Sequence, residues 1–410
     1  MAKSTNKNMG IIVAIIVIIL AIVYFTQKQP TAVVGKKQEI KVGIILGFTG
    51  PIESLTPAMA ASAELAFKEA SDSGSLMSGS TITPIRADST CVDSAAAQSA
   101  AEGLISQGIA AIMGADCSGV TGAIATNVAV PNGVVMISPS ATSPGLTDLA
   151  DNGLFFRTAP SDKRGGQVLA DATKDKKIKT VAITYTNNDY GKGLADMYKI
   201  GLDSHGVKVT TELAHEDGKA DYSSEVATLA AAGGDALAVL GYLDQGGKGI
   251  IQAALDSGAF DTFVLGDGMI GQSLVDAFGK DLSKSVATRP GSTGKGASIF
   301  ESVAAAANID PDAPYTASSY DAGALLVLAI QAGKSADRAS IAKNVMEVAN
   351  APGVKIYPGE LKKALDLLAK GEKIDYEGAS DVTFTKEGDA TGSFLEQAVK
   401  NGKFETKKQR

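Results

Sequence analysis

Tryptophan is absent from the 410-residue chain, aromatic residues amount to 5%, and histidine and cysteine occur only twice each. The shortage of large rings, set against 45 glycines and abundant alanine, suits close helix-on-sheet packing through small residues and says nothing about chemistry. His205 and His215 flank one apolar run and have neither a cysteine nor a paired acid beside them in sequence. Tetrahedral metal sites and serine-histidine-acid arrangements therefore have no support, and no metal, cofactor or catalytic activity is expected. Net charge is -7 with no basic block outside the termini, which lacks the electrostatic footprint of a nucleic-acid binder. Gly291-Ser-Thr-Gly-Lys-Gly296 lacks both the leading spacing and the final hydroxyl residue of a phosphate-binding loop. Gly266-Asp-Gly268-Met-Ile-Gly271 does spell a dinucleotide fingerprint. Its acid would face the pyrophosphate, and no ribose-binding acid ends a strand about 20 residues on, so the match is read as fortuitous.

What is present begins with an apolar run from Gly10 to Phe25, preceded by Lys3 and Lys7. It is long for the core of a signal peptide and short for a spanning helix. No lipobox cysteine and no clean small-x-small cleavage site follows. Residues 1–26 are thus either a cleaved signal or a retained anchor, and 27–39, rich in Gln, Lys and Pro, read as a linker. In both cases the body lies outside the cytoplasm. Two cysteines in an exported chain most simply pair, so a Cys91–Cys117 disulfide is expected, against the alternative of two buried thiols.

From residue 40 onward the chain is too long for one compact core and comfortable for two. Short β-rich runs alternate with amphipathic ones: strands at 40–46, 82–87, 110–113, 134–137 and 154–156, with helices at 57–70, 94–106 and 119–129 between them. A second series has strands at 180–185, 207–213, 236–240, 262–265 and 285–287, with helices at 191–204, 222–232, 246–256 and 272–278. Such alternation predicts an α/β protein with two parallel sheets and right-handed crossovers. Beyond Gly294 helices dominate, strongest at 317–332 and 341–348. Tyr376–Gly378, Asp381–Thr385 and Phe394–Val399 read as closing strands.

Polar residues gather in the turns after several strands: Ser118, then Ser138-Pro-Ser140-Ala141-Thr142, then Tyr190, Tyr242 and Asp267. Taken singly these are ordinary turn formers, caps or packed rings. Asp162, after Ser161 and ahead of a helix, reads as an N-cap. Their order carries more. Ile40-Lys-Val-Gly, Gly50-Pro51, Cys117-Ser118, Met136-Ile-Ser-Pro-Ser-Ala-Thr142, Phe156-Arg-Thr, Asp189-Tyr-Gly-Lys-Gly193 and Tyr320-Asp-Ala together resemble the periplasmic leucine/isoleucine/valine-binding proteins, the type I solute-binding components of branched-chain amino acid ABC transporters.

That resemblance implies two Rossmann-like lobes, 40–159 with 290–374 and 160–289 with 375–405. Three hinge crossings would join them, near Thr158–Ser161, Arg289–Gly291 and Gly371–Tyr376. It implies that a ligand α-carboxylate meets backbone N–H groups and hydroxyls at Ser118, Ser140, Ala141 and Thr142. The ammonium would meet Asp267, with Tyr190 and Tyr242 closing over the ligand. Two departures stand out: relatives often have Glu where Asp267 stands, and Leu55 occupies a position where a pocket-wall Trp can occur. The implied protein is a monomeric, non-enzymatic carrier that hands a neutral aliphatic amino acid to permease subunits in the inner membrane. Rival readings are an amide- or urea-binding protein, a ligand-sensing ectodomain and an NAD-dependent enzyme.

Overall fold

The computed structural model describes residues 37–410. The apolar run Gly10–Phe25 and nearly all of the linker lie outside the described residues. Among the described residues no helix is long and apolar enough to cross a membrane.

The first series comprises β1 (Glu39–Leu46), α1 (Thr56–Asp72), β2 (Thr81–Asp88), α2 (Ser94–Ser106), β3 (Ala111–Gly114), α3 (Ser118–Ile124), β4 (Val135–Ser138) and β5 (Phe155–Pro160). The second comprises α4 (Asp162–Asp175), β6 (Thr180–Thr186), α5 (Asp189–Ser204), β7 (Lys208–His215), α6 (Ser223–Ala232), β8 (Ala236–Leu240), α7 (Lys248–Ser257), β9 (Phe263–Leu265), α8 (Gln272–Phe278) and β10 (Val286–Pro290). Then follow α9 (Lys295–Ala306), α10 (Thr316–Gly333), α11 (Arg338–Ala349), β11 (Val354–Ile356), α12 (Leu361–Ala369), β12 (Ile374–Tyr376), β13 (Asp389–Ala390), β14 (Phe394–Lys400) and β15 (Lys403–Gln409). Central strands such as Ala111–Gly114 and Ala236–Leu240 are buried along their whole length, as parallel strands covered on both faces must be.

The first sheet runs β13-β5-β4-β3-β1-β2, with every pairing parallel. The second runs β15-β14-β10-β9-β8-β6-β7, parallel except for the antiparallel edge formed by β14 and β15. Each sheet therefore reverses its winding once, between β1 and β3 in the first and between β6 and β8 in the second. Crevices open beyond the carboxyl ends of the strands at such points. Helix α10 is buried nearly all round because it is wedged among α1, α11 and α12 under the first sheet, which explains a sequence that is apolar on every face.

The chain changes sheet between Pro160 and Asp162 and again after Pro290. The third change differs from the expectation of Gly371–Tyr376. Strand β12 pairs with β11, and Asp389–Ala390 still pairs with β5, so the switch falls between Ala390 and Phe394. A two-residue strand on a sheet edge carries too little periodicity to be read from sequence. Asp381–Thr385 is likewise not a strand and contributes only a bridge from Phe384 to Ala390. The closing hairpin is instead β14–β15, turned by Asn401 and Gly402, both at positive φ (51° and 77°). Asn-Gly is the preferred pair for such a turn. Strand β15 escapes a hydrophobicity reading because it is an exposed edge strand rich in lysine, a composition that discourages edge-to-edge pairing.

Candidate functional site

At the first switch point three loops are tied together. Cys91, after β2, is bonded to Cys117, after β3, with Cα atoms 5.2 Å apart. Asp116, fully buried, accepts the Gly47 N–H after β1 at 2.6 Å, the Ser89 hydroxyl at 3.0 Å and the Cys117 N–H at 3.0 Å. Burial pushes the Asp116 carboxyl up, and those donors hold it back toward ionisation. The disulfide and the acid thus fix the turn that delivers Ser118 to the start of α3. In the chain-entropy model a bridge of this span adds about 3 kcal/mol. Protein purified from the periplasm is expected to show no alkylatable thiol by non-reducing mass spectrometry, and two free thiols would overturn the pairing in the cell.

The hydroxyl loops sit side by side. Ser118 Oγ accepts the Ser143 N–H at 3.1 Å, and Ser140 Oγ donates to the Asp116 carbonyl at 3.0 Å. The Ala141 N–H donates to Ser138 Oγ at 3.0 Å. Thr142 is buried, and among the described residues its hydroxyl has no hydrogen-bond partner. Behind this loop lies Arg157, with none of its side chain exposed. It donates to the Ala141 and Ser143 carbonyls at 3.1 and 2.8 Å, to Thr147 Oγ1 at 2.9 Å and to both oxygens of Asp389 at 2.6 and 3.0 Å. One guanidinium therefore pins the Ser140–Thr142 loop to β13, just before the last sheet change.

The second sheet contributes an aromatic and acidic wall. Asn188 caps α5 by accepting the Tyr190 and Gly191 N–H groups, which sets Tyr190 at the mouth of β6. Tyr190 stacks on Tyr242 with centroids 5.1 Å apart and planes 15° apart. Tyr190 donates to Asp267 Oδ1 at 2.6 Å and accepts the Gly268 N–H at 3.0 Å. Tyr315, from the segment before α10, donates to Asp267 Oδ2. It adopts a left-handed backbone conformation (φ 63°), rare for a large residue and often found where a site is held under constraint. Asp267 is 4% exposed. Burial raises its pKa, and the two tyrosine hydroxyls counter that. The tyrosines are pushed well up by burial and by Asp267, so they remain neutral donors.

The dinucleotide-like spelling acquires a packing explanation here. A Cβ on Gly268 would lie 2.7 Å from the Gly241 carbonyl oxygen and 2.9 Å from the Tyr190 hydroxyl. A Cβ on Gly271 would lie 2.5 Å from Leu243. These glycines admit protein neighbours where a phosphate cradle would need open space.

The two walls meet. The Asp244 N–H donates to the Pro51 carbonyl at 2.7 Å, and Asp244 Oδ2 accepts the Ser54 N–H at 3.0 Å. Between them remains a cavity of about 20 Å³ lined by Leu55, Ser118, Ser140, Tyr190, Tyr242 and Tyr315 among others. The structure thus brings Leu55, Ser118, Ser140, Tyr190, Tyr242 and Asp267 together, with Ala141 and Thr142 on the same loop as Ser140. It also corrects one reading: the cap of α4 is Ser161, whose hydroxyl accepts the Lys163 N–H, while Asp162 is 1% exposed and turned inward. Tyr315 has no sequence signal, because nothing before α10 says which sheet its side chain reaches. Among the described residues there is no group of three or more metal-ligating side chains.

Two doubly wound sheets with facing switch points define a two-lobed binding protein of the type I periplasmic fold. A periplasmic binding protein family model matches residues 39–361, and the chain belongs to that family. It is 30% identical over 362 residues to Leu/Ile/Val-binding protein homolog 1 of Brucella melitensis, covering 87% of this chain and 92% of the relative. The fold is similar to that of a leucine-binding protein, LivK, from Thermotoga maritima, with TM-score 0.75, 23% identity and coverage of 90% and 98%. It is also similar to an ABC transporter solute-binding protein from R. palustris solved with benzoate, with TM-score 0.71, 19% identity and coverage of 90% and 96%. The chain is a substrate-binding protein and not an enzyme, and its family places it outside the cytoplasm.

Proposed function

We propose that the protein captures a neutral aliphatic, branched-chain amino acid between its lobes and delivers it to the permease of an ABC transporter. The observation that carries the reading is Asp267, a buried acid held by Tyr190 and Tyr315 and set across the cleft from the hydroxyl loops. An anion cradle opposite a buried acid suits a zwitterion. Ser118, Ser140, Ala141 and Thr142 would hold the carboxylate through charge-assisted hydrogen bonds, and Asp267 the ammonium. Tyr190, Tyr242 and Leu55 would cover the side chain. The R. palustris relative with benzoate makes an aromatic acid the second reading, and a buried Asp267 weighs against it, because a carboxylate without an ammonium group would leave that acid uncompensated. Amides and urea meet the same objection. The apolar run Gly10–Phe25 would direct export, either cleaved or kept as a tether.

A thermal-shift screen of the twenty amino acids, benzoate, simple amides and urea tests this reading. A ligand at 100 times its Kd adds about 2.7 kcal/mol of stability. Leucine, isoleucine or valine is expected to give the largest shift, and a shift with benzoate alone would reverse the conclusion.

The lobes are proposed to part and close about the three sheet changes. A cavity of about 20 Å³ leaves no room for a leucine, so entry needs the walls to separate. Small-angle scattering should show a smaller radius of gyration with ligand than without it. Identical curves at saturating ligand would count against hinge closure.

A further inference from the structure

Strand β10 ends in Thr288-Arg289-Pro290, where the chain leaves the second sheet. In its antiparallel pairing with β14, Arg289 lies opposite Leu395 and Ala287 opposite Gln397, so Arg289 and Gln397 are diagonal neighbours on one face. Diagonal partners of this kind sit about 7–8 Å apart, within reach of long side chains. With α9 and the segment before α10 they line a cavity of about 320 Å³, whose walls include Arg289, Ser298, Asp312, Leu395, Gln397 and Phe404. Gly291 preserves that space. Its φ is 155°, and a Cβ there would stand 2.8 Å from Leu395 and 3.4 Å from Arg289 Nη1.

The protein satisfies neither long polar side chain. Arg289 donates only to the Pro290 and Asp312 carbonyls, at 3.3 and 3.4 Å, which is long for a charged donor. Its Nε is buried and has no partner among the described residues. Burial lowers the Arg289 pKa, and Asp312 and Asp310, both exposed, counter this only through space. Gln397 is 4% exposed. Its Nε2 donates to Thr406 Oγ1 at 3.4 Å, and its Oε1 accepts from nothing among the described residues. Water can serve the amide oxygen but brings no charge to the guanidinium, and a buried cation without a counterion is costly.

We propose that this cavity beside the second sheet change is a binding site for a small monocarboxylate with a hydroxyl or ammonium group on its α carbon, separate from the cleft that holds Asp267. The carboxylate takes the Arg289 Nε–H and a neighbouring guanidinium N–H as a fork, and the α substituent donates to Gln397 Oε1. Glu301, Asp312 and Glu405 also line the cavity and outnumber Lys403 there, which disfavours multiply charged anions. Leu395 and Phe404 suit a short alkyl remainder. The site lies near the cleft: the charge of Arg289 acts on Tyr315, which donates to Asp267.

The test titrates L-lactate, L-alanine, acetate and chloride by calorimetry into the full chain already saturated with L-leucine, so that the cleft is occupied. Lactate or alanine is expected to bind more tightly than acetate, with chloride weakest, and the two arms identify the α substituent. Arg289→Gln should weaken that binding about tenfold or more. Its unfolding temperature should be unchanged or higher, because an uncompensated buried cation is gone. Gln397→Leu should retain acetate binding and erase the preference for the α-substituted acid. If Arg289→Gln does not fold, the Gln397→Leu comparison decides alone. Equal binding by the parent and the variants, no binding of lactate or alanine to the leucine-saturated parent, or chloride bound as tightly as lactate overturns the inference. The site does not rest on the amino-acid reading: a parent that takes no leucine is titrated without it, and the same variants decide.

Discussion

Replacing Asp267 by alanine is expected to weaken amino acid binding severely while leaving the fold intact. The carboxylate lies at 4% exposure and accepts hydrogen bonds from Tyr190 and Tyr315, both of which line the cavity. Truncating one member of a buried charge pair costs about 2–5 kcal/mol, mostly because the other charge is left unpaired. That corresponds to a loss of about thirtyfold at the low end and several thousandfold at the high end. Ser118→Ala should cost about 1 kcal/mol, since backbone N–H groups and neighbouring hydroxyls still hold the carboxylate. Calorimetry on both variants with the best ligand from the screen makes the comparison. Parental affinity in Asp267→Ala would refute the zwitterion grip, and the uncharged-amide reading would take its place.

The largest stability loss is expected from Arg157→Met. The guanidinium is completely buried and makes bonds to Ala141, Ser143, Thr147 and Asp389. Removing it strands the Asp389 carboxylate and two carbonyls in the interior, a change that costs about 3–5 kcal/mol. Arg157→Lys should rescue little, because an ammonium cannot reproduce a fork that contacts both oxygens of one acid and two carbonyls at once. Chemical denaturation read by circular dichroism would measure the loss. Ligand affinity should fall as well, since Arg157 fixes the loop that presents Ser140, Ala141 and Thr142. A midpoint within error of the parent would mean that the bonds around Arg157 contribute nothing net. Combining Arg157→Met with Asp389→Leu should recover part of the loss, because the uncompensated charge is then gone.

Much of this architecture was legible in the chain. Strand and helix alternation gave both sheets because fully buried parallel strands write short, uninterrupted apolar runs, and Ala236–Leu240 and Ser94–Ser106 were read to the residue. The residues after those strands, Ser118, Ser140, Tyr190, Tyr242 and Asp267, could be picked out because strand ends are where an open α/β sheet exposes its crevice. Asp162 was misread for a local reason: a hydroxyl followed by an acid ahead of a helix offers two candidates for one cap, and only packing shows that Ser161 takes it. Tyr315 and the pairing of Asp389 with Arg157 were invisible, since each joins partners far apart in sequence, 48 and 232 residues away.

Sequence by itself determined what is local and periodic: which segments are strands or helices, where the turns carry polar residues, that two cysteines stood alone and that an apolar run precedes the body. The tertiary structure alone decided which of two neighbouring side chains caps α4 and which is buried. It also decided where the chain finally returns to the second sheet, and that one arginine ties the hydroxyl loop to that return. The physical reason is range. Backbone hydrogen bonding and side-chain periodicity act over a few residues and leave a pattern in the chain. Burial and charge pairing depend on what arrives from elsewhere, and no spacing along the chain records it.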